Sequence, residues 1–264
     1  MKENKEWQQL MDFDGRRESF PAFSGRAMQW HEQVTSTNDL GIAWLRDQLN
    51  PPPDGAVIIA NVQTRGRGRF GRSWYAPPGS ALLFTYLLRP PAKYLARAGM
   101  LGALAVCEAL EALGAHDLTV KWPNDVHLGG RKICGVLPEA CWQADHLLGV
   151  ALGIGINVRV HFVDPALAVR AASLEPALKR AVDRNELLAA VLERLDHWRA
   201  RLQDPALFSA WRARLNVFGR AVTVDMSGSV LSGTAEAVEE TGALLLRLED
   251  GKLERVVAGD LSFV

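Results

Sequence analysis

The sequence predicts an α/β protein, with a mixed-sheet domain followed by a small antiparallel β-barrel. Over residues 29–216, apolar runs of strand length alternate with segments of helical spacing, which is the pattern of a layered α/β domain. From Gly219 onward, apolar residues alternate between closely spaced turn signals, which is typical of short antiparallel strands. We therefore divide the chain into an N-terminal extension (1–28), a large α/β domain (29–216) and a C-terminal barrel (217–264).

The first half of the chain is predicted to contain a short helix and loop, then a strand, a helix, two buried strands and a second helix. Polar residues at 36–39 offer side chains that can cap the first long helix. Continuous apolar runs indicate strands that are buried on both faces. In chain order the elements are a helix and loop within 1–28, strand Gln29–Val34, a helix from Ser36 through Leu49, strands Ala56–Ala60 and Ala81–Leu88, and a helix from about Tyr94 to Leu113.

The second half is predicted to contain four β segments and then three helices. Gly129-Gly130 forms the tight turn between the second and third β segments. Pro138 leaves the end of the third segment open, and Gly153 and Gly155 interrupt the fourth. The strands are Leu118–Trp122, Val126–Leu128, Lys132–Leu137 and Leu147–Val158, and the helices are Leu174–Lys179, Asn185–Leu202 and Pro205–Leu215.

Charge and composition exclude several classes of protein. The chain has 30 basic and 30 acidic residues among 264, so it lacks the basic surplus of a dedicated nucleic-acid binder. It shows no signal peptide and no run of about eighteen apolar residues. Its three cysteines are odd in number and form no CxxC pair, which favours buried reduced thiols over a disulfide or a metal site. We expect a cytoplasmic protein that binds neither DNA nor a membrane.

A loop in which glycines alternate with arginines lies between two predicted buried strands, over Gln63–Trp74. Glycine lets the backbone approach a ligand closely, and planar guanidinium groups suit phosphate and carboxylate oxygens. The loop is therefore a candidate anion site, with nucleic-acid contact and a solvated loop as alternatives. Three glycines within Gly66–Gly71 also predict a lid that ligands order. In that hypothesis Arg67 and Arg69 become well paired only when carboxylate and phosphate are present.

A second candidate is the string KWPNDV at residues 121–126. A lysine at a strand end, beside a Pro-Asn turn, can direct its ammonium group into a cleft. There Lys121 can neutralise a carboxylate that attacks phosphorus and stabilise the charge that develops during transfer. The alternative for a single lysine is a solvated surface charge.

Four motifs occur together in an order that resembles the catalytic domain of biotin–protein ligases. They are Ser36-Thr37-Asn38, GRGRFGRSW at 66–74, KWPNDV with the downstream KICGVL at 132–137, and GIGINV at 153–158. Ala258-Gly259-Asp260-Leu261-Ser262 resembles the close of that family's SH3-like C-terminal domain. The sequence departs from the family pattern at Arg65, at Pro138 and at Ala171-Ala172-Ser173-Leu174.

The resemblance implies a biotin site and a catalytic set. Ser36, Thr37, Asn38 and Gln63 match the positions that hold the polar ureido end of biotin, although Ser36–Asn38 alone can also be a helix cap. Arg67, Gly68 and Arg69 match the loop that folds over the biotin tail and the α-phosphate, and Lys121 matches the lysine that contacts both. We take Lys121, Arg67 and Arg69 as the catalytic residues.

The resemblance also implies a nucleotide side, formed by Arg72, Trp74, Lys132 and Asn157. The Trp74 indole can stack on adenine, with a core aromatic as the alternative. For Gly153 and Gly155, close packing of a buried strand is a sufficient explanation. We expect Mg²⁺ to accompany ATP and to be held mainly by phosphates, without a protein metal site.

The implied activity is that of an ATP-dependent biotin–protein ligase. Biotin is activated to biotinyl-5′-AMP and then transferred to a lysine of a biotin carboxyl carrier protein, such as that of acetyl-CoA carboxylase. The alternatives are a lipoate or octanoate–protein ligase of the same fold, a biotin-responsive transcriptional repressor, and a biotin-binding module without catalysis. Residues 1–28 are too few for the DNA-binding module that such repressors have. The sequence leaves monomer or homodimer open.

Overall fold

A computed structural model describes residues 21–226 and 228–264. Most of the predicted N-terminal helix and loop, and Ser227 of a predicted turn, lie outside the described residues. The described chain contains a seven-stranded sheet and a five-stranded sheet. The fold is thus mixed α/β with a C-terminal antiparallel sheet, as the sequence predicted.

The seven-stranded sheet has the order β1-β2-β3-β7-β6-β5-β4. Its first two strands are parallel, and every other neighbouring pair is antiparallel. The strands are β1 (Met28–Val34), β2 (Val57–Gln63), β3 (Ala81–Leu88), β4 (Leu118–Lys121), β5 (Asp125–Leu128), β6 (Arg131–Gln143) and β7 (His146–Asn157).

Helices cover both faces of this sheet. The helices are α1 (Thr37–Arg46), α2 (Arg97–Ala112), α3 (Pro165–Arg170), α4 (Leu174–Leu178), α5 (Arg184–Ala200) and α6 (Pro205–Ala213). α1 packs on β2, β3 and β7 on one face, and α2 packs with α5 and α6 on the other. Neighbouring residues of β2 and β3 therefore enter different cores, as Ile58 and Ile59 do. All eight residues of β3 are buried, which confirms the prediction from its continuous apolar run.

The C-terminal sheet has the order β11-β10-β9-β8-β12 and is antiparallel throughout. Its strands are β8 (Ala221–Asp225), β9 (Val230–Val238), β10 (Leu244–Arg247), β11 (Leu253–Val256) and β12 (Asp260–Phe263). Alternate residues such as Val222, Val224, Leu244 and Leu246 are buried. This alternation is the pattern that predicted short antiparallel strands.

Several predicted boundaries are wrong for local reasons. α1 ends at Arg46, before the predicted Leu49, and the Asp47 carboxylate accepts hydrogen bonds from the backbone N–H groups of Leu49 and Asn50. A side chain that bonds nearby backbone in this way competes with helix propagation. The second predicted helix begins at Arg97, after a short 3₁₀ turn.

The strand predicted to end near Pro138 continues to Gln143. β5 pairs with β6 only as far as Gly135, so Pro138 lies where β6 has β7 as its strand partner on one side. A strand tolerates proline in that position because a missing N–H need not break a ladder bond. β7 is likewise continuous through Gly153 and Gly155.

Candidate active site

The parallel pair β1–β2 brings two polar segments to one edge of the sheet. Val34, the last residue of β1, pairs with Gln63, the last residue of β2. The backbone N–H groups of Thr64 and Arg65 continue the contact, donating to Val34 and Thr35 at 2.9 Å. Because parallel strands end at the same edge, the start of α1 and the glycine–arginine loop lie side by side.

A cavity of about 370 Å³ opens at this edge and is lined by eleven of the twelve predicted site residues. These are Ser36, Thr37, Asn38, Gln63, Arg67, Gly68, Arg69, Arg72, Trp74, Lys132 and Asn157. The twelfth, Lys121, is not among the lining residues, although the next residue, Trp122, is. Motifs that are far apart in the chain therefore converge on one space.

One end of the cavity has a floor of neutral polar groups. Gln63 Oε1 accepts hydrogen bonds from the Thr37 backbone N–H at 2.7 Å and its hydroxyl at 3.1 Å. The hydroxyl of Thr85, on β3, lies 2.6 Å from Asn38 Oδ1 and 2.8 Å from Thr37 Oγ1. Thr37, Asn38 and Thr85 are all buried, so their polar atoms need such partners.

Ser36 occupies the N-cap position of α1, as predicted, but its side chain accepts no capping hydrogen bond from the residues described. It is 3% exposed and lines the cavity. The cap interpretation therefore explains the position of Ser36, but it does not explain the hydroxyl, which makes no capping hydrogen bond with the described residues. That hydroxyl is available to a ligand.

Arg67 is already paired with two carboxylates. Its guanidinium donates to both oxygens of Glu139, at 3.1 and 2.9 Å, and forms an ion pair with Asp39 at 2.7 Å. Burial opposes ionisation, but the hydrogen bonds to Asp39 and Glu139 raise the pKa of Arg67 above its ordinary value. The expectation that Arg67 becomes well paired only in the presence of ligands is therefore wrong.

Arg69 differs in its surroundings. Within the described part of the chain it makes a single long hydrogen bond, from Nη1 to Asn124 Oδ1 at 3.5 Å. Burial lowers the pKa of Arg69, and the negative charges of Asp125 and Asp260 offset this only in part. A desolvated guanidinium with so few partners is suited to bind an anion.

A cluster of charges joins the C-terminal sheet to the cavity. Arg72 donates to Asp260 Oδ2 at 2.7 Å, and the ammonium nitrogen of Lys121 lies 4.0 Å from Asp260 Oδ1. Asp260 lines the cavity although it belongs to β12. Trp122, which follows Lys121, donates its indole N–H to the carbonyl of Gly242 at 2.8 Å. The C-terminal sheet therefore holds the KWPND segment at the edge of the cavity.

The Trp74 indole packs against two glycines of the sheet. A Cβ atom on either Gly135 or Gly155 would be 2.9 Å from the indole, so both positions require glycine for this packing. The ammonium of Lys132 lies 5.6 Å from the ring centroid and pairs with Asp125 at 2.7 Å. Trp74 thus packs on the protein and also lines the cavity.

Asn157, at the end of β7, leaves an acceptor unused. Its Nδ2 donates to the carbonyl of Ala172 at 3.1 Å, while Oδ1 is buried and has no hydrogen-bond partner among the described residues. The indole N–H of Trp74 is also buried and has no hydrogen-bond partner among the described residues. Buried polar atoms without partners indicate a place for a ligand.

Sequence reasoning missed five charged or polar residues at the site, which are Asp39, Thr85, Asp125, Glu139 and Asp260. Thr85 carried a signal, because a short hydroxyl side chain within the buried run ALLFTYLL needs a hydrogen-bond partner. Glu139 had no local signal, and Asp260 was noted only within the motif that closes the C-terminal domain, because only sheet pairing and the second sheet bring these two residues to the site.

The three cysteines, Cys107, Cys134 and Cys141, are buried and free, as predicted. Burial raises the pKa of Cys107 to about 12, so its thiol is unreactive. Within 21–226 and 228–264, no group of three His, Cys, Asp or Glu residues is placed to hold a metal. In the same ranges, no helix has the length and apolar character needed to span a bilayer.

Comparison with known proteins identifies the family. The model of the Biotin/lipoate A/B protein ligase family matches residues 30–157, and that of the biotin protein ligase C-terminal domain matches residues 217–264.

The chain is 34% identical over 217 residues to the biotin–[acetyl-CoA-carboxylase] ligase of Paracoccus denitrificans, covering 78% of this chain and 90% of that protein. It is 29% identical over 235 residues to the bifunctional ligase/repressor BirA of Escherichia coli strain K12, covering 87% of this chain and 71% of that protein. The solved biotin protein ligase of Aquifex aeolicus, in complex with biotin and ATP, has a TM-score of 0.77 at 26% identity, with 90% of this chain and 99% of that chain covered. The chain therefore belongs to the biotin–protein ligase family, a family of ATP-dependent enzymes.

Proposed function

We propose that the chain activates biotin with ATP to biotinyl-5′-AMP and transfers the biotinyl group to a specific lysine of a carrier protein. The observation that carries this proposal is a single cavity that joins a neutral polar floor to a cationic wall. A bicyclic ureido ring suits the first part, and a carboxylate next to phosphates suits the second.

The floor formed by Ser36, Thr37, Asn38 and Gln63 is proposed to bind the ureido ring. The ring has both N–H donors and a carbonyl acceptor, which lose water when they are buried and must be paired. Hydroxyl and amide groups provide both donors and acceptors at neutral charge. A lipoyl group has no such polar head, and this distinction favours biotin over lipoate or octanoate.

Charge neutralisation carries the first chemical step. The biotin carboxylate attacks the α-phosphorus of ATP, and pyrophosphate leaves. Arg69 and Lys121 are proposed to hold the carboxylate and the α-phosphate together, because like charges otherwise keep the two reactants apart. The ammonium nitrogen of Lys121 lies 4.0 Å from Asp260 Oδ1, and the negative charge of Asp260 also favours the charged form of Arg69, so Asp260 stabilises both cations before substrates bind. In the second step the carrier lysine attacks the mixed anhydride and AMP leaves.

The nucleotide side is proposed to consist of Arg72, Trp74, Lys132 and Asn157. The Trp74 face can stack on adenine, and Asn157 Oδ1 is an acceptor for a base N–H. Mg²⁺ is expected with the triphosphate. The carboxylates of Asp125 and Asp260 that line the cavity already pair with Lys132 and Arg72. The chain therefore suits Mg²⁺ that phosphates hold, with few protein ligands.

The proposed partner is a biotin carboxyl carrier protein, such as that of acetyl-CoA carboxylase. The proposed division of labour is a catalytic domain over 29–216 and a C-terminal domain over 217–264 that closes the nucleotide side through Asp260. The buried free thiols are in keeping with action in the cytoplasm.

The test is to incubate the purified chain with biotin, MgATP and a carrier domain, and then to weigh the carrier. A gain of one biotinyl group, dependent on ATP and on the carrier lysine, is the expected result. Lipoate and octanoate are offered in parallel reactions. Labelling with either of them but not with biotin would assign the other ligase activity of this fold.

A further inference from the structure

We propose that Glu139 is a positioning residue that couples the biotin floor to the glycine–arginine loop; this inference rests on the proposed function. Its single carboxylate accepts a hydrogen bond from Asn38 Nδ2 at 2.6 Å and from Arg67 Nη2 at 2.9 Å, both through Oε2. Its other oxygen accepts from Arg67 at 3.1 Å. One side chain of β6 therefore contacts both parts of the site.

On the floor side, Glu139 determines which way the Asn38 amide faces. Nδ2 lies between two acceptors, the carbonyl of Leu137 at 3.1 Å and the Glu139 carboxylate. The reverse orientation would place the amide oxygen against both. Oδ1 consequently faces the Thr85 hydroxyl, which donates to it at 2.6 Å. The Thr37 hydroxyl donates its own proton to Gln63 Oε1 at 3.1 Å, so its oxygen is a second, longer acceptor for Thr85, at 2.8 Å. Glu139 thereby sets the pattern of donors and acceptors that a ligand meets.

On the loop side, Glu139 and Asp39 together hold Arg67 against the wall of the cavity. Two carboxylates face one guanidinium, so this corner has an excess negative charge. A ligand carboxylate is repelled there and is directed toward Arg69 and Lys121. Arg67 then anchors the glycine–arginine loop to Glu139 and Asp39. It helps to hold biotin by fixing the position of the loop and not by binding the biotin carboxylate itself.

The two contacts share one carboxylate. Neutralising it should therefore weaken biotin binding and also speed the release of biotinyl-AMP, while ATP binding stays unchanged. Glu139→Gln offers one amide oxygen to Asn38, but its amide nitrogen opposes Arg67. Losing charge-assisted hydrogen bonds of this kind weakens binding by about 10-fold or more. We expect the Kd for biotin to rise by about that factor and biotinyl-AMP to dissociate faster, with the KM for ATP within about twofold of wild type.

The experiment measures biotin Kd by calorimetry, release of biotinyl-AMP, the KM for ATP and the thermal midpoint for wild type and Glu139→Gln. Glu236→Gln is the matched control, because Glu236 also binds an arginine, Arg247, through both oxygens but lies on the C-terminal sheet away from the cavity. It should leave all three ligand measurements unchanged. Glu139→Asp keeps the charge on a shorter side chain, and it tests the same directions if Glu139→Gln does not fold.

A double-mutant cycle separates coupling from general loosening. Arg67→Gln alone should speed release of biotinyl-AMP, and adding it to Glu139→Gln should speed release by less than about twofold more, because the anchoring of the loop is already lost. Additive effects, or a fall in kcat at unchanged biotin Kd, would overturn the proposal. Wild-type protein that does not biotinylate a carrier would instead overturn the proposed function. Active wild type with an unchanged Glu139→Gln variant removes only the positioning role.

Discussion

Asp260 Oδ2 on β12 accepts a hydrogen bond at 2.7 Å from Arg72, which lies 188 residues earlier in the chain. The contact links the C-terminal sheet to the glycine–arginine loop. Although burial opposes it, the hydrogen bond from Arg72 and the charge of Lys121 lower the pKa of Asp260 below its ordinary value. The same hydrogen bond raises the pKa of Arg72.

The lowered pKa of Asp260 predicts how stability depends on pH. A group whose pKa is lower in the folded state contributes stability above its unfolded pKa, about 4 for aspartate, and loses it as pH falls through the folded pKa. Asp260→Asn should therefore lower the thermal midpoint at pH 7, and the difference from wild type should shrink as the pH falls below about 4. The measurement is the midpoint against pH for both proteins. Asp145→Asn, at an exposed turn, is the control, and parallel curves down to pH 2 would contradict the prediction.

Lys121→Ala should abolish synthesis of biotinyl-AMP while leaving the fold intact. Loss of a cation that stabilises the transition state costs about 2–4 kcal/mol, which is a rate loss of roughly 10²- to 10³-fold. The measurement is biotin-dependent release of pyrophosphate. Lys252→Ala is the control, because that side chain is 77% exposed on the C-terminal sheet. Near-normal release by folded Lys121→Ala would remove this residue from the mechanism, a result with particular weight because Lys121 lies outside the cavity lining.

Arg69→Gly should form biotinyl-AMP but lose it to solution. Arg69 is the loop arginine with a single long hydrogen bond in the described chain, so its missing partner is expected to be the adenylate. Free biotinyl-AMP and labelling of unrelated proteins should both rise, and these two quantities are the measurement. Arg65→Gly, an exposed arginine of the same loop, should behave as wild type. If Arg69→Gly stops adenylate formation as completely as Lys121→Ala does, then Arg69 belongs to the chemical step.

Substitutions at two glycines of β7 should each weaken the binding of a different substrate. A Cβ atom at Gly153 would be 2.5 Å from Asn38 Oδ1, and one at Gly155 would be 2.9 Å from the Trp74 ring. Gly153→Ala should raise the KM for biotin by about 10-fold and Gly155→Ala the KM for ATP by a similar factor, because each displaces a different wall of the cavity. Each variant is the control for the other. Equal effects of both variants on both substrates would show that the glycines serve only the packing of the sheet.

The strands were predictable because burial on both faces leaves a continuous apolar run, and the Ala81–Leu88 prediction has the observed bounds. Helix ends depended on side chains that the patterns did not weigh, such as Asp47. α3 was missed although Asp164 caps it and Pro165 opens it. The same Asp-Pro pair occurs at Asp204-Pro205, where the sequence did predict a helix. The sequence therefore contained the signal for α3, and the prediction did not use it.

The part of the site that consists of short sequence motifs was predictable. Ser36–Asn38 and the glycine–arginine loop each lie within a few consecutive residues, and both line the cavity. Glu139 and Asp260 become part of the site only through strand pairing and through the second sheet, and the motif that contains Asp260 does not indicate that it reaches the cavity. The pairing of Arg67 with two carboxylates was likewise beyond reach, because it depends on side chains from α1 and β6.

The pairing of Val34 with Gln63 also bears on the order in which the site forms during synthesis. A chain emerges from the ribosome N-terminus first, and domains fold as units. The polar floor needs strands only as far as β7, whereas the anchor of Arg72 arrives with β12. On the proposed function, a nascent chain that lacks the C-terminal sheet would have the polar floor for biotin before it has the anchor of Arg72 on the nucleotide side, so the ability to bind would precede the ability to react.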